Sequence, residues 1–179
     1  VALPFEPNLQ QKFASDYLCS FETVEDQFFY AWDKHKYTAP VEDAGQDTLY
    51  TLHDWNKKCM AACVIQVRNE QIEVIRSYAI PDCSTEHMAR TIRADFPRRR
   101  LNAIIDMSGT QLNRDTTSPF GVTDRTILEQ YGFTIVNSRR SNPLISDTDN
   151  SSNAFIAAGR LIVDPTDTKL LEALSTYHY

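Results

Sequence analysis

The chain has 179 residues, enough for one domain with an added arm and for a full core without disulfide or metal staples. Hydrophobic residues make up 42% and charged residues 23%, a balance that excludes a disordered chain. Eighteen Lys+Arg against 24 Asp+Glu leave a net charge of −6, which excludes a binder that holds nucleic acid by a global basic field but not an enzyme that meets DNA on a local patch.

Residues 1–47 carry Phe13, Tyr17, Leu18, Phe21, Phe28, Phe29, Tyr30 and Trp32 and end in the polar stretch Pro40 to Asp47. The spacing of Phe13 with Tyr17 and of Val24 with Phe28 predicts short amphipathic pieces packed on a larger body, an arm leading into a domain. From Thr48 the pattern turns to strands: Thr48–Asp54, Cys59–Val67 and Ile72–Tyr78, joined closely enough for an antiparallel meander. Ser84 or Thr85 caps a helix that runs through Met88, Ile92 and Phe96 and stops at Pro97. Asn102–Asp106 closes a short apolar run, the mark of a buried central strand. After a loop over Met107 to Val122, Thr123 to Tyr131 reads as a helix with Gly132 at its end, and Phe133 to Val136 as another buried strand. A polar loop, Asn137 to Asp149, precedes a helix near Ser151 to Ala158, then a strand at Arg160 to Val163 and a helix at Thr168 to Thr176.

A meander followed by helix, strand, helix, strand is an α/β order around a mixed sheet, three antiparallel strands plus parallel ones, flanked by helices. Right-handed crossovers set the strand ending in Asp106 beside the first, which ends in Asp54; that is the layout of an RNase H-like fold. No run of about 18 apolar residues occurs and Val1 to Gln10 lacks a basic-then-apolar start, so neither a membrane span nor a signal peptide is expected. A first residue of Val and a last of Tyr179 read as a piece of a longer chain. The four cysteines are too few and irregular for a secreted disulfide scaffold. Cys59 and Cys63 with His53 lack the paired spacing of a zinc site and read as core thiols of a reducing compartment.

Asp54 and Asp106 are far apart in sequence and meet only if the two strands are neighbours. Carboxylates at adjacent strand ends repel unless a cation lies between them. Mg²⁺ or Mn²⁺ takes oxygen ligands and keeps waters that a phosphate can displace, and two such ions about 3.5–4 Å apart activate a water and stabilise a leaving oxygen. Taken singly, an Asp after a strand is a turn former; taken together in this strand order, the two point to phosphodiester hydrolysis.

The same residues resemble a known family. Tyr50-Thr51-Leu52-His53-Asp54-Trp55 is similar to the Tyr-x-x-x-Asp-Trp pattern of the C-terminal nuclease domain of the large terminase subunit, the DNA-packaging motor of tailed bacteriophages. Asp106-Met107-Ser108-Gly109 resembles its Asp-x-Ser-Gly, and Tyr131-Gly132-Phe133, Asn142-Pro143 through Asp147 and Asn153, Gly159-Arg160-Leu161 and Asp164-Pro165 follow in the family's order. The resemblance spans residues 13 to 177. It implies a metal-dependent endonuclease that cleaves double-stranded concatemeric viral DNA during packaging, with Asp54 and Asp106 as catalytic metal ligands for Mg²⁺ or Mn²⁺, two ions being held when DNA is bound. It implies residues 1–47 as an arm from an ATPase domain of the same parent chain and 48–179 as the nuclease, with the terminase small subunit and portal protein as partners and the host cytoplasm as location. No Gly-x-x-x-x-Gly-Lys-Ser/Thr loop occurs, so ATP hydrolysis by that route is not expected of this piece. The family's third acidic ligand follows the last helix in an Asp-Ala-rich segment; it is expected beyond Tyr179, with Asp147 or Asp149 as the source inside the chain.

Arg98-Arg99-Arg100 lies at the strand end opposite Asp106 and reads as a solvated loop, whereas Lys57, Lys58, Arg139 and Arg140 lie toward the acidic end and are the candidates for phosphate contact. Two other readings stand beside the terminase nuclease. One is a non-catalytic RNase H-like domain that binds DNA or a partner; the other is a related resolvase or transposase nuclease.

Overall fold

The computed structural model describes residues 27–45, 48–55, 59–105, 122–136 and 145–177, with the side chains of all of these but 145–147. Its centre is a six-stranded sheet in the order β5-β4-β1-β2-β3-β6. Strands β1 (Thr48–Asp54), β2 (Cys59–Arg68) and β3 (Gln71–Pro81) form the expected antiparallel meander. The β2–β3 link is a two-residue turn through Asn69 (φ 51°) and Glu70 (φ 64°), the positive-φ pair that matches strand twist in tight hairpins. Strands β4 (Arg100–Ile105), β5 (Phe133–Ile135) and β6 (Leu161–Val163) run parallel to their neighbours β1, β4 and β3. The sheet is therefore mixed; β4 lies beside β1 as the sequence predicts, but one strand in from the edge, with β1 and β2 at the centre.

Alternation along β1 divides its side chains between two cores. Leu49, Thr51 and His53 are buried on one face, where Leu49, Met60, Val64, Leu101, Ala103 and Ile105 pack under helix α1 (Thr85–Asp95) and helix α2 (Asp124–Gln130). Ser84 caps α1, its Oγ accepting from His87 N, and Met88, Ala89 and Ile92 form the buried stripe. Arg93 fastens the two helices: its guanidinium donates to the carbonyls of Tyr131, Gly132, Phe96 and Arg99 and lies 5.2 Å from the Phe133 ring centroid. Those of Phe96, Tyr131 and Gly132 lie at or just past helix C-termini, where no bond within the helix satisfies them, and that of Arg99 precedes β4. The second core, on the other face, joins Ile65, Val74 and Val163 to Ile156 of α3 (Ile145–Ala157) and Leu171 and Leu174 of α4 (Thr168–Thr176). A bulge at Val64/Ile65 shifts the alternation so that Val64, Ile65 and Gln66 are buried in succession.

Residues 27–45 are bound into this second core through turns. Trp32 and Tyr37 are buried in it, and Thr38 bridges Val163 in parallel. Asn153, 1% exposed, accepts from Ala31 N and donates to Phe28 O. Further along, Val41 N donates to Asp164, Gln66 bonds both Glu42 O and Ala44 N, and Arg99 pairs with Asp43 at 2.6 Å. Phe13, Tyr17 and Val24 lie outside the described residues. Two other expectations shift. α3 begins at Ile145, so the last residues of the expected polar loop, through Asp149, are helical; and β3 runs on to Pro81 rather than ending at Tyr78. Among the described residues no helix is long and apolar enough to cross a membrane.

Candidate active site

Asp54 is the last residue of β1 and lies on the face of Tyr50 and Leu52, opposite His53. Its neighbours in register are small: Ala61 across β2, and Ala79 across β3 from Ala61. One row below, Leu52 pairs with Ile104 in β4, and both are partly open, at 38% and 39% exposure. The C-terminal end of the sheet is thus a low shelf with an exposed carboxylate on it.

The Asp54 carboxylate accepts no hydrogen bond and enters no ion pair among the described residues, which is also true of exposed Glu42, Asp82 and Glu172; what sets it apart is that it stands so at the end of a central strand. Most other carboxylates are engaged. Asp95 binds Arg76 and Tyr78, Asp124 binds Thr85, and Asp164 accepts from Val41 N and Thr166. Asp167 caps α4 and holds both the N and Oγ of Ser77. Glu73, buried beside Gln66, is held by Arg68 at 2.7 Å.

The parallel register of β1 with β4 runs from Thr48 opposite Arg100 to His53 opposite Ile105. The next residue in each strand's sequence is an aspartate, Asp54 in one and Asp106 in the other. Asp106 itself lies outside the described residues, as do Lys57, Lys58, Arg139 and Arg140 and the side chain of Asp147. Asp149 is described: its Oδ1 accepts from Asn153 Nδ2 at 2.8 Å, inside the contact that holds residues 28–31.

His53 faces away from the shelf. Its Nε2 is 2.9 Å from Thr51 Oγ1, its ring meets Phe133 edge-on at 6.0 Å, and burial holds its pKa down at about 4, so the imidazole is neutral near pH 7. Cys59 and Cys63 alternate onto the face opposite His53, and no group of three His, Cys, Asp or Glu able to hold a metal forms among the described residues. Both thiols are half-buried rather than fully enclosed, and burial, with Asp167 nearby, pushes Cys63 up to about 11. Sequence reasoning passed over two features of this site. One is the pair of alanines in register with Asp54; the other is the stacking of His53 on Trp55, at 5.3 Å and 13°, for which the signal was two rings at i and i+2 of one strand.

No family model and no curated protein sequence matches the chain. Solved structures do. The large terminase of the thermophilic bacteriophage D6E superposes with a TM-score of 0.67 at 10% identity, over 86% of this chain and 38% of that one. The P22 large terminase nuclease domain gives 0.64 at 10% identity, covering 85% of this chain and 79% of that domain. The large terminase nuclease of the thermophilic phage G20c, solved with bound magnesium, gives 0.55 at 12% identity over 86% of this chain and 82% of its own. This chain spans a little over a third of the D6E protein and most of the two isolated nuclease domains. Its fold is that of the large-terminase nuclease domains, an RNase H-like mixed sheet between two helical layers.

Proposed function

We propose that this domain is a divalent-metal-dependent endodeoxyribonuclease that cleaves double-stranded viral DNA during genome packaging. The observation that carries the reading is Asp54: an exposed carboxylate without an internal partner among the described residues, at the end of the central strand, in register with a strand whose next residue is Asp106. On this reading Asp106, which follows Ile105 in the sequence as Asp54 follows His53, is the second carboxylate.

Two carboxylates so placed need a cation to stay ionised together, and their hard oxygens suit Mg²⁺ or Mn²⁺. The donors present fit such an ion, since Asp54 is free of other bonds among the described residues and the nearest imidazole is buried on the far face. Asp54 and Asp106 would hold it, completed by a carboxylate from beyond Tyr179 or from Asp147 or Asp149; the bond from Asn153 to Asp149 makes Asp149 the less available of these. A bound ion of this class supplies a polarised phosphodiester and a more acidic water. The chain itself supplies the shelf: Ala61 and Ala79 leave space above the sheet for a DNA backbone. Lys57, Lys58, Arg139 and Arg140 neutralise phosphates without reading bases, so cutting has little sequence preference.

Residues 1–47 lead from an ATPase of the same parent chain, and the terminase small subunit and portal supply the specificity that this shelf lacks. The D6E large terminase, solved with ADP, supports a nucleotide-binding parent for such a domain. The test is nicking of supercoiled plasmid with Mn²⁺ or Mg²⁺ by the wild type, Asp54→Asn and Asp106→Asn. Weak, unselective relaxation by the wild type, abolished by EDTA and by either substitution, is the expected result. Normal cutting by either variant refutes the site. DNA binding without cleavage in any metal favours the non-catalytic alternative.

A further inference from the structure

The backbone of Asp54 is gripped from the opposite side of the sheet. Strand alternation sends the Asp54 carboxylate to the shelf and the side chains on either side of it, His53 and Trp55, to the other face, where their rings stack at 5.3 Å with only 13° between planes. His53 is 6% exposed, fixed by Thr51 Oγ1 at 2.9 Å and wedged against Phe133; Trp55 packs against the first core. Asp54 is the final strand residue, paired with Ala61, and a strand end held by backbone bonds alone frays. A ring planted in the core one residue beyond it prevents that.

The stack is a poor choice if stability were its only purpose. Among the described residues His53 Nδ1 and Trp55 Nε1 are both buried without a hydrogen-bond partner, and each such orphan costs about 1–3 kcal/mol. Leucine or phenylalanine at either place would avoid that cost.

We propose that the His53–Trp55 stack is a positioning device that fixes the direction of the Asp54 carboxylate, so that His53 and Trp55 tune metal binding without touching the metal. The inference rests on the reading of Asp54 as a metal ligand given above. Residues that orient a metal ligand from behind typically change affinity by about 10–100-fold when removed.

The test is calorimetric titration of the full chain with Mn²⁺, without DNA, at a temperature well below every melting midpoint. Trp55→Leu keeps an apolar side chain but loses the ring plane, and its Mn²⁺ dissociation constant is expected to rise by about tenfold or more. Trp55→Phe, which keeps a flat ring over the imidazole, recovers most of that loss. Plasmid nicking by Trp55→Leu falls at low Mn²⁺ and returns at saturating Mn²⁺. A loss of stability alone would not produce that split. Wild-type Mn²⁺ affinity in Trp55→Leu overturns the positioning role and leaves the nuclease reading intact. If Trp55→Leu does not fold, His53→Leu removes the other ring and carries the same expectation and the same refutation. A wild type that binds no Mn²⁺, or an Asp54→Asn variant that binds it unchanged, overturns the metal reading, and the positioning role falls with it.

Discussion

Replacing Asn153 by Leu tests whether residues 27–45 belong to the folded domain. Asn153 is 1% exposed; its Oδ1 accepts from Ala31 N at 2.9 Å, and its Nδ2 donates to Phe28 O at 2.8 Å and to Asp149 Oδ1 at 2.8 Å. Leucine has as many side-chain heavy atoms and is somewhat bulkier, so no cavity opens, but Ala31 N–H and Phe28 C=O lose their bonds to Asn153 in a part-buried setting. Each costs about 1–2 kcal/mol, the lower part of the range for a lost buried bond because both groups are only part-buried, and the half-buried Asp149 carboxylate can turn to water and adds little. The expected destabilisation is about 2–4 kcal/mol, or roughly 5–15 °C in melting midpoint for a chain of this size. Urea melts of wild type and Asn153→Leu measure it, and limited proteolysis shows where it acts: cleavage between Phe28 and Ala44 should accelerate before the sheet opens. A loss below about 1 kcal/mol, with that segment still protected, refutes the claim that Asn153 is its main fastening.

The remaining predictions concern other fastenings and the site. Arg93→Met, which removes the guanidinium donor from four backbone carbonyls and, among the described residues, leaves only that of Phe96 a second bond, from Arg99 N, should cost about 3 kcal/mol, read as a lower urea midpoint with an unchanged slope. A chain beginning at Thr48 loses Trp32 and Tyr37 from the second core and should give no cooperative melt, as circular dichroism would show. Cys63, with its pKa raised from 9.0 to about 11, should react with iodoacetamide at pH 8 roughly 100-fold more slowly than a free thiol. The sign is that of a thiol kept protonated: the folded state resists losing this proton, so stability is lost as pH rises from about 9 toward 11. Asp54→Asn should melt no lower than wild type without metal, because Asp54 makes no bond among the described residues, and should lose the stabilisation that Mn²⁺ gives the wild type in thermal melts.

Which parts of this were readable beforehand follows from the range of the forces involved. β1 was legible because its two-residue alternation and its end at Asp54 are local, and the pairing of β1 with β4 followed from crossover handedness. The start of α3 was not: Ser146 to Ser152 is mostly Ser, Asp, Thr and Asn, weak helix formers, and the helix is held by Asn153 and Ile156 packing on distant partners. The shape of residues 27–45 was not legible either, since the bonds that set it, such as Ala31 to Asn153, reach 122 residues along the chain. The candidate site shows the division most sharply. The sequence already sets Asp54 apart by its strand end and its Tyr-x-x-x-Asp-Trp setting, but it does not show which acceptors the protein uses for itself. The fold adds that Asp149, Asp164 and Asp167 are already bonded, to Asn153, to Val41 and Thr166, and to Ser77, and an acceptor already satisfied by the protein has less to offer a cation. Asp54 has its lone pairs still to give, and that is why the search for chemistry in this domain begins at the end of β1.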